Sequence, residues 1–179
     1  MAKQVDITYG NALFELALEE NKIDALYEEV QALIKLLNEN IDLIKILEHP
    51  RIDKDEKKKI VEETFSNRVS DDITGLMVMV VEKEHIGDII NIFNYFIKLV
   101  KKQKNIGVAS VISAIDLSDS QKVAVEQKLI ETTSYDTMEI EYSVDKSLIG
   151  GLVIRIEDRV VDSSIKTKLD KLSKTLSKS

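Results

Sequence analysis

The hydrophobic period of this chain changes decisively at Asn105-Ile106-Gly107. Before that point apolar residues recur at helical spacing almost without interruption, and beyond it period-two runs alternate with helical ones. A helical pattern cannot bury one face as a strand, nor a strand pattern as a helix, so the switch marks two differently built parts. The first, residues 1–105, reads as an all-α N-terminal six-helix bundle. The second, residues 106–179, reads as a small α+β C-terminal domain. A single proline and six glycines in 179 residues leave room for long helices in the first part.

In the bundle, a first helix carries Val5, Tyr9, Ala12, Leu13, Leu16 and Ala17 on one face, with Phe14 and Leu18 widening the apolar arc. A second, from about Asn21, turns Leu26, Val30, Leu33, Ile34 and Leu37 inward. A short third helix over Ile41 to Leu47 stops at His49-Pro50, because the residue before proline is pushed out of the α region. Asp53 and Glu56 are spaced as a capping box for the fourth. Its Lys57-Lys58-Lys59 run reads as a solvated face balanced by Asp55, Glu56, Glu62 and Glu63. The fifth follows a Ser70-Asp71-Asp72 cap and buries Ile73, Leu76, Met77, Val80 and Val81, while Gly75, Val78 and Met79 keep its other side small and apolar. The sixth, from about Gly87 to Lys104, faces Ile90, Phe93, Ile97 and Val100 inward and gathers lysines at its C-terminal end, where the helix dipole favours cations.

Beyond the switch, Val108 to Ile115 is β-branched and small, a strand whose alternation Ser110 and Ser113 break. Ser118 and Gln121 form a capping box opening a helix to about Thr132. Met138, Ile140, Tyr142 and Val144 alternate with Glu139, Glu141 and Ser143, as a half-exposed strand does. After Gly150-Gly151, Leu152, Ile154 and Ile156 define a strand with one fully buried face, and Asp158-Arg159 interrupts it before Val160 and Val161. Asp162, Ser163 and Ser164 supply an N-cap, and Ile165, Leu169, Leu172 and Leu176 make a single stripe on the last helix.

Chemistry is hard to place on such a chain. It lacks cysteine, which removes disulfides, thiolate metal sites and cysteine nucleophiles. His49 and His85 are isolated at helix ends and read as cap or surface residues. No metalloprotease, nucleophile-elbow or phosphate-loop motif is present, and Gly150-Gly151 leads into a strand rather than into the helix N-terminus a phosphate loop requires. A net charge of −7 with few aromatics argues against binding nucleic acid. No window reaches the roughly 18 uninterrupted apolar residues of a membrane span, and Asp6 precedes any apolar run that could open a signal peptide. No catalytic residue, cofactor or metal ligand is assigned. The reading is a protein that presents surfaces.

Three stretches resemble one family. SLIGGLVIRIEDRVVDSSIKTKLDKL, Ser147 to Leu172, is similar to the signature of the delta subunit of F-type ATP synthase, a relative of the mitochondrial oligomycin-sensitivity-conferring protein. TYGNALFELALEE, Thr8 to Glu20, resembles that family's opening helix. HPRIDKDEKKKIVEETF, His49 to Phe65, resembles the proline-marked junction before its fourth helix. Many members carry glycine where this chain has Glu157 and again at Ser163; both positions fall at turns.

The resemblance implies a non-catalytic stator subunit that ties the alpha/beta catalytic head to the peripheral stalk against rotational torque. The N-terminal bundle is then expected to hold the N-terminal segment of an alpha subunit in a groove between helices one and five. Position by position this falls on Tyr9, Ala12, Leu13, Gly75 and Met79. The C-terminal domain is expected to engage the C-terminal region of the b-type stalk subunit. The expected location is the cytoplasmic face of the bacterial cell membrane, held there by other subunits without direct insertion. The competing readings are a helical adaptor of another multisubunit assembly and an enzyme with an anion site near Gly150.

Overall fold

The computed structural model describes residues 2–66 and 68–176, with side chains over 4–66 and 68–174. The chain divides between Lys101 and Lys102 into two units, a few residues before the change of period. The first is helical: α1 (Ala2–Glu19), α2 (Ile23–Glu39), α3 (Ile41–Glu48), α4 (Lys54–Phe65), α5 (Asp71–Glu82) and, after a 3-10 turn at Ile86–Asp88, α6 (Ile89–Gln103), which runs across the division. His49 ends α3 in an extended conformation, as a residue before proline must.

The core of this unit is drawn from all of these helices. Leu26, Val30, Leu33 and Leu37 of α2 meet Val61 and Phe65 of α4 and Ile73, Met77 and Val80 of α5. The contribution of α6 is wider than one stripe. Ile89, Ile92, Phe93, Phe96, Ile97 and Val100 are all buried, whereas Ile90 is only half-buried, so the inward face is rotated from the one its sequence pattern implied. A helix packed on several neighbours buries a broad arc, and a single-face reading of its period misplaces the edge. At Gly10, α1 approaches α6 so closely that a Cβ would lie 2.6 Å from Cδ1 of Tyr95.

The expected caps mark the right positions without making the expected bonds. Asp53 and Ser70 are N-cap residues of α4 and α5, but neither side chain bonds the helix. The N–H of Ser70 donates to Glu29 Oε2 at 3.0 Å, and its buried Oγ has no partner among the described residues. On α4, Lys58 faces Glu82 at 3.6 Å and Asp55 at 4.0 Å.

The second unit runs β1 (Ile106–Ser113), α7 (Asp119–Thr132), β2 (Thr137–Val144), a 3-10 turn at Lys146–Leu148, β3 (Leu152–Ile156), β4 (Arg159–Asp162) and α8 (Ile165–Leu176). The sheet order is β2-β1-β3-β4. β1 and β2 are parallel and joined through α7, while β3 pairs antiparallel with both β1 and β4. β1 begins and ends two residues earlier than its composition implied. It stops where the buried hydroxyl of Ser113 donates to the carbonyl of Ile115 at 2.6 Å and turns the chain. The capping box of α7 is complete, with Gln121 N–H on Ser118 Oγ and Ser118 N–H on Gln121 Oε1.

β3 departs from expectation. Leu152, Ile154 and Ile156 are half-buried rather than fully buried. The core here is small: Ala109, Leu129 and Met138 form an enclosed cluster with Val125, Ile130, Tyr135, Ile140, Ile154 and Ile156 around them, and Val111 and Leu148 are also buried. One helix of 14 residues does not cover four strands.

Two turns in this unit demand unusual backbone. Gly151 has φ +80°, and a Cβ there would sit 2.5 Å from the carbonyl oxygen of Ser163 and 3.0 Å from Cα of Ser164. The reversal is closed by Ser163 N–H on Leu152 O and Ile165 N–H on Gly150 O, each at 2.9 Å. In the β3–β4 hairpin Ile156 pairs with Arg159, leaving Glu157 and Asp158 as a two-residue loop, and Glu157 takes φ +50°. A tight hairpin with positive φ at its first loop residue is where glycine is usually found. Glu157→Gly is therefore expected to stabilise this unit by about 0.5 kcal/mol. The left-handed strain relieved, about 1–2 kcal/mol, exceeds the added entropy of the unfolded chain. Slower amide exchange across β3 and β4 is the check; faster exchange would reverse the sign.

Candidate docking surfaces

α1 and α5 pack against one another within the first unit. Which of their ends meet follows from Lys22, just beyond α1, whose Nζ lies 3.3 Å from Asp72 Oδ2 in the first turn of α5. The C-terminal end of α1 therefore lies beside the N-terminal end of α5. Ala12 is exposed, and Tyr9 is half-buried against the bundle core. Leu13 is enclosed, 2% exposed. On α5, Met79 is 50% exposed, and Gly75 is exposed with open space where a Cβ would be. Ile7 and Leu18 add apolar surface to α1. The structure thus brings the two helices together, puts Ala12, Gly75 and Met79 on the outside, and leaves Leu13 inside.

The second surface is on α8, and sequence reasoning did not assign it. Ser164 caps the helix, its Oγ accepting from Thr167 N–H at 3.2 Å. Asp162 ties the cap down: Oδ1 accepts from Ser164 N–H at 2.8 Å, and Oδ2 accepts from the Thr167 hydroxyl at 2.7 Å. Beyond this first turn the apolar stripe lacks cover among the described residues. Ile165, Leu169 and Leu172 are 42%, 50% and 60% exposed, and the side chain of Leu176 lies outside the described residues. A stripe at i, i+4, i+7 has the same spacing whether its own chain or another covers it; its lysine-rich flanks were the available sign.

Hydrogen bonds from the Ser164 hydroxyl, the Thr167 hydroxyl and the Ser164 N–H lower the pKa of Asp162 from 3.8 to about 2. A carboxylate depressed in the folded state contributes stability that is complete above its unfolded value and is lost as pH falls through its folded one. The first turn of α8 is thus expected to loosen between about pH 4 and pH 2, as Asp162 takes up its proton. Amide exchange at Thr167 followed over this range tests it. Asp162→Asn should abolish the dependence, and an unchanged profile in that variant would assign it elsewhere.

Next to the cap, Ile149 is 63% exposed at φ +67°, a conformation that strains a β-branched residue. It stands at a cleft of about 450 Å³ lined chiefly by Ile115, Leu117, Val125 and Leu152, with the glycine pair at its edge and no charged residue in its lining. That is apolar chemistry, unlike an anion cradle. His49 Nδ1 accepts from Arg51 N–H at 3.2 Å, and His85 Nδ1 lies 3.8 Å from Asp88 Oδ2, each at its helix end. Among the described residues no cluster of three His, Cys, Asp or Glu could hold a metal ion, and no helix is long and apolar enough to cross a membrane.

Comparison with known proteins shows the family. The family model for the ATP synthase delta (OSCP) subunit matches residues 5–176. The ATP synthase subunit delta of Lachnoclostridium phytofermentans is 51% identical over 178 residues, covering 99% of this chain and 98% of that protein. The subunit of the same name from Prochlorococcus marinus strain AS9601 is 32% identical, with 99% of both chains covered. The fold is also that of a chain in the Toxoplasma gondii mitochondrial ATP synthase hexamer, with a TM-score of 0.76 at 16% identity and 96% of each chain covered. The chain belongs to the ATP synthase delta (OSCP) subunit family, and is a structural rather than a catalytic component of that complex.

Proposed function

We propose that this chain is the stator link of its ATP synthase, joining the alpha/beta catalytic head to the peripheral stalk and resisting the torque of rotation. The observation that carries the reading is that each of its two units exposes apolar side chains on its helices, Ala12 of α1 and Met79 of α5 in the first, and Ile165, Leu169 and Leu172 at helical spacing on α8 in the second. A link between two bodies needs two sites on separable supports, and helix-in-groove docking uses this kind of surface.

In this reading the bundle of α1–α6, with its six helices, receives the N-terminal segment of an alpha subunit along α1 and α5. Tyr9, Ala12, Gly75 and Met79 line the groove, and Leu13 supports its floor. Exposed Ala12 and open Gly75 let a partner helix come close, and Met79 adapts its shape. The second unit engages the C-terminal region of the b-type stalk subunit. The protein is held at the cytoplasmic face of the bacterial membrane by these partners.

The test is recovery of the complex from membranes with the full chain and with a chain ending at Asn105. The shortened chain is expected to keep alpha and lose b. Retention of b by the shortened chain, or loss of alpha from it while its helices remain folded, would defeat the two-site arrangement.

A further inference from the structure

We infer that Met79 is an oxidisable checkpoint on assembly: in the unassembled chain hydrogen peroxide converts its thioether to a sulfoxide, which closes the groove along α1 and α5 to its partner helix. This rests on the groove reading of the first unit and adds to it a modification site and a means of regulation.

Three observations lead there. First, accessible sulfur is concentrated at one position. The chain has no cysteine and four methionines. Met77 is 0% and Met138 7% exposed, whereas Met79 is 50% exposed, and Met1 lies outside the described residues. Oxidation of a side chain follows its exposure, so Met79 reacts ahead of the two enclosed methionines. Second, the site suits a switch rather than a lesion. Met77 and Met79 stand about 200° apart around α5, which puts Met77 in the core with Ile73 and Val80 and leaves Met79 outside it. An oxygen added at Met79 meets water, and the bundle stays folded. Third, the neighbouring surface is small and apolar. Ala12 is exposed, and Gly75, one turn before Met79, has open space where a Cβ would be. A flexible thioether fills the irregular gap between such residues and a docked helix. A sulfoxide is polar, and its oxygen gives up water on docking with no donor in the side chains of Ala12 or Gly75 to replace it.

The step is a two-electron oxygen transfer. A lone pair of Met79 Sδ attacks one peroxide oxygen, and the O–O bond breaks as the S–O bond forms. The departing hydroxide takes the proton left on the transferred oxygen and leaves as water. Sulfur is oxidised, the peroxide is reduced, and methionine sulfoxide reductases reverse the change. A helix lying in the groove covers Met79, so the reaction belongs to the free subunit.

The experiment treats the full chain with hydrogen peroxide, removes the peroxide with catalase, and follows each methionine by mass mapping of peptides. Affinity for an alpha N-terminal peptide is then read by titration calorimetry. Met79 is expected to gain one oxygen about tenfold faster than Met77 or Met138. Affinity should fall about tenfold or more with helix content unchanged, and treatment with the A and B reductases should restore it. Peptide bound beforehand should slow oxidation of Met79 at least about fivefold. Met79→Leu, compared with itself before and after peroxide, should show no loss. Equal oxidation of the three methionines, unchanged affinity of the sulfoxide form, or an equal peroxide-induced loss in Met79→Leu overturns the checkpoint while peptide docking itself stands. Oxidation of Met79 at an undiminished rate under bound peptide overturns the checkpoint and removes Met79 from the groove. Failure of the untreated chain to bind the peptide overturns both readings.

Discussion

Gly151→Val is expected to lower the stability of the second unit by roughly 2–5 kcal/mol, from two additive sources. A β-branched residue at φ +80° carries about 1–2 kcal/mol of left-handed strain. The first side-chain carbon also arrives 2.5 Å from the Ser163 carbonyl oxygen and 3.0 Å from Cα of Ser164. Both obstacles are backbone, and Ser163 is held by hydrogen bonds to Leu152 through its N–H and its hydroxyl, so relief requires the reversal itself to open. Gly150→Ala provides the contrast. Its Cβ would meet only Cδ1 and Cγ1 of Ile165, the movable part of a side chain, and the expected loss is about 1 kcal/mol or less. Amide exchange across β1 and β3, referenced to α2 and α6, reads both effects. Equal losses at the two glycines would mean that the approach of Ser163 is not what selects Gly151.

Ala12→Asp is expected to weaken an alpha N-terminal peptide by about 30- to 150-fold while the bundle stays folded. A carboxylate drawn into a desolvated groove without a partner costs about 2–3 kcal/mol. In the free protein the same side chain faces water, and replacing alanine by aspartate within a helix costs about 0.7 kcal/mol at most. Helix content and thermal midpoint should therefore move little while affinity falls. Met79→Asp should behave alike on the opposite wall, since Met79 is half exposed. Leu13→Asp would be uninformative, because a charge at an enclosed position unfolds the support before binding is measured. Unaltered affinity in both the Ala12 and Met79 variants would remove the groove from α1 and α5.

Neighbouring positions show what the sequence could reveal and what it could not. Ala12 and Leu13 are adjacent, but lie about 100° apart around the helix, so one faces out and the other in. Periodicity found the stripe to which both were assigned and not the edge between them. The strength of α2 as a reading has the same source: Leu26, Val30, Leu33 and Leu37 fall on one narrow face and are all buried. α6 has apolar residues around more of its circumference, and there the pattern missed Ile89, Ile92 and Phe96. Caps were legible as positions, since Asp53, Ser70, Ser118 and Ser164 all stand at helix starts. Which of them bond was not legible: the side chains of Ser118 and Ser164 accept from their helices, and those of Asp53 and Ser70 do not. Gly150-Gly151 was readable as a close approach, but not what approached it. The exposure of α8 was not legible in its hydrophobic spacing, which carries no record of whose side chains complete it; the lysines flanking the stripe were the available sign.

The two units are covalently joined by very little chain. α6 ends at Gln103 and β1 begins at Ile106, so Lys104 and Asn105 alone lie between helix and strand. Asn105 is fastened in turn, its Nδ2 donating to Ser134 O at 2.8 Å and its carbonyl accepting from Asp136 N–H at 3.1 Å. The strand that follows is central, paired with β2 along one edge and with β3 along the other. Tension carried along the chain into the second unit would therefore meet, directly after Asn105, a strand held by a ladder of hydrogen bonds on either side, so that loss of one neighbour would still leave β1 bound to the other.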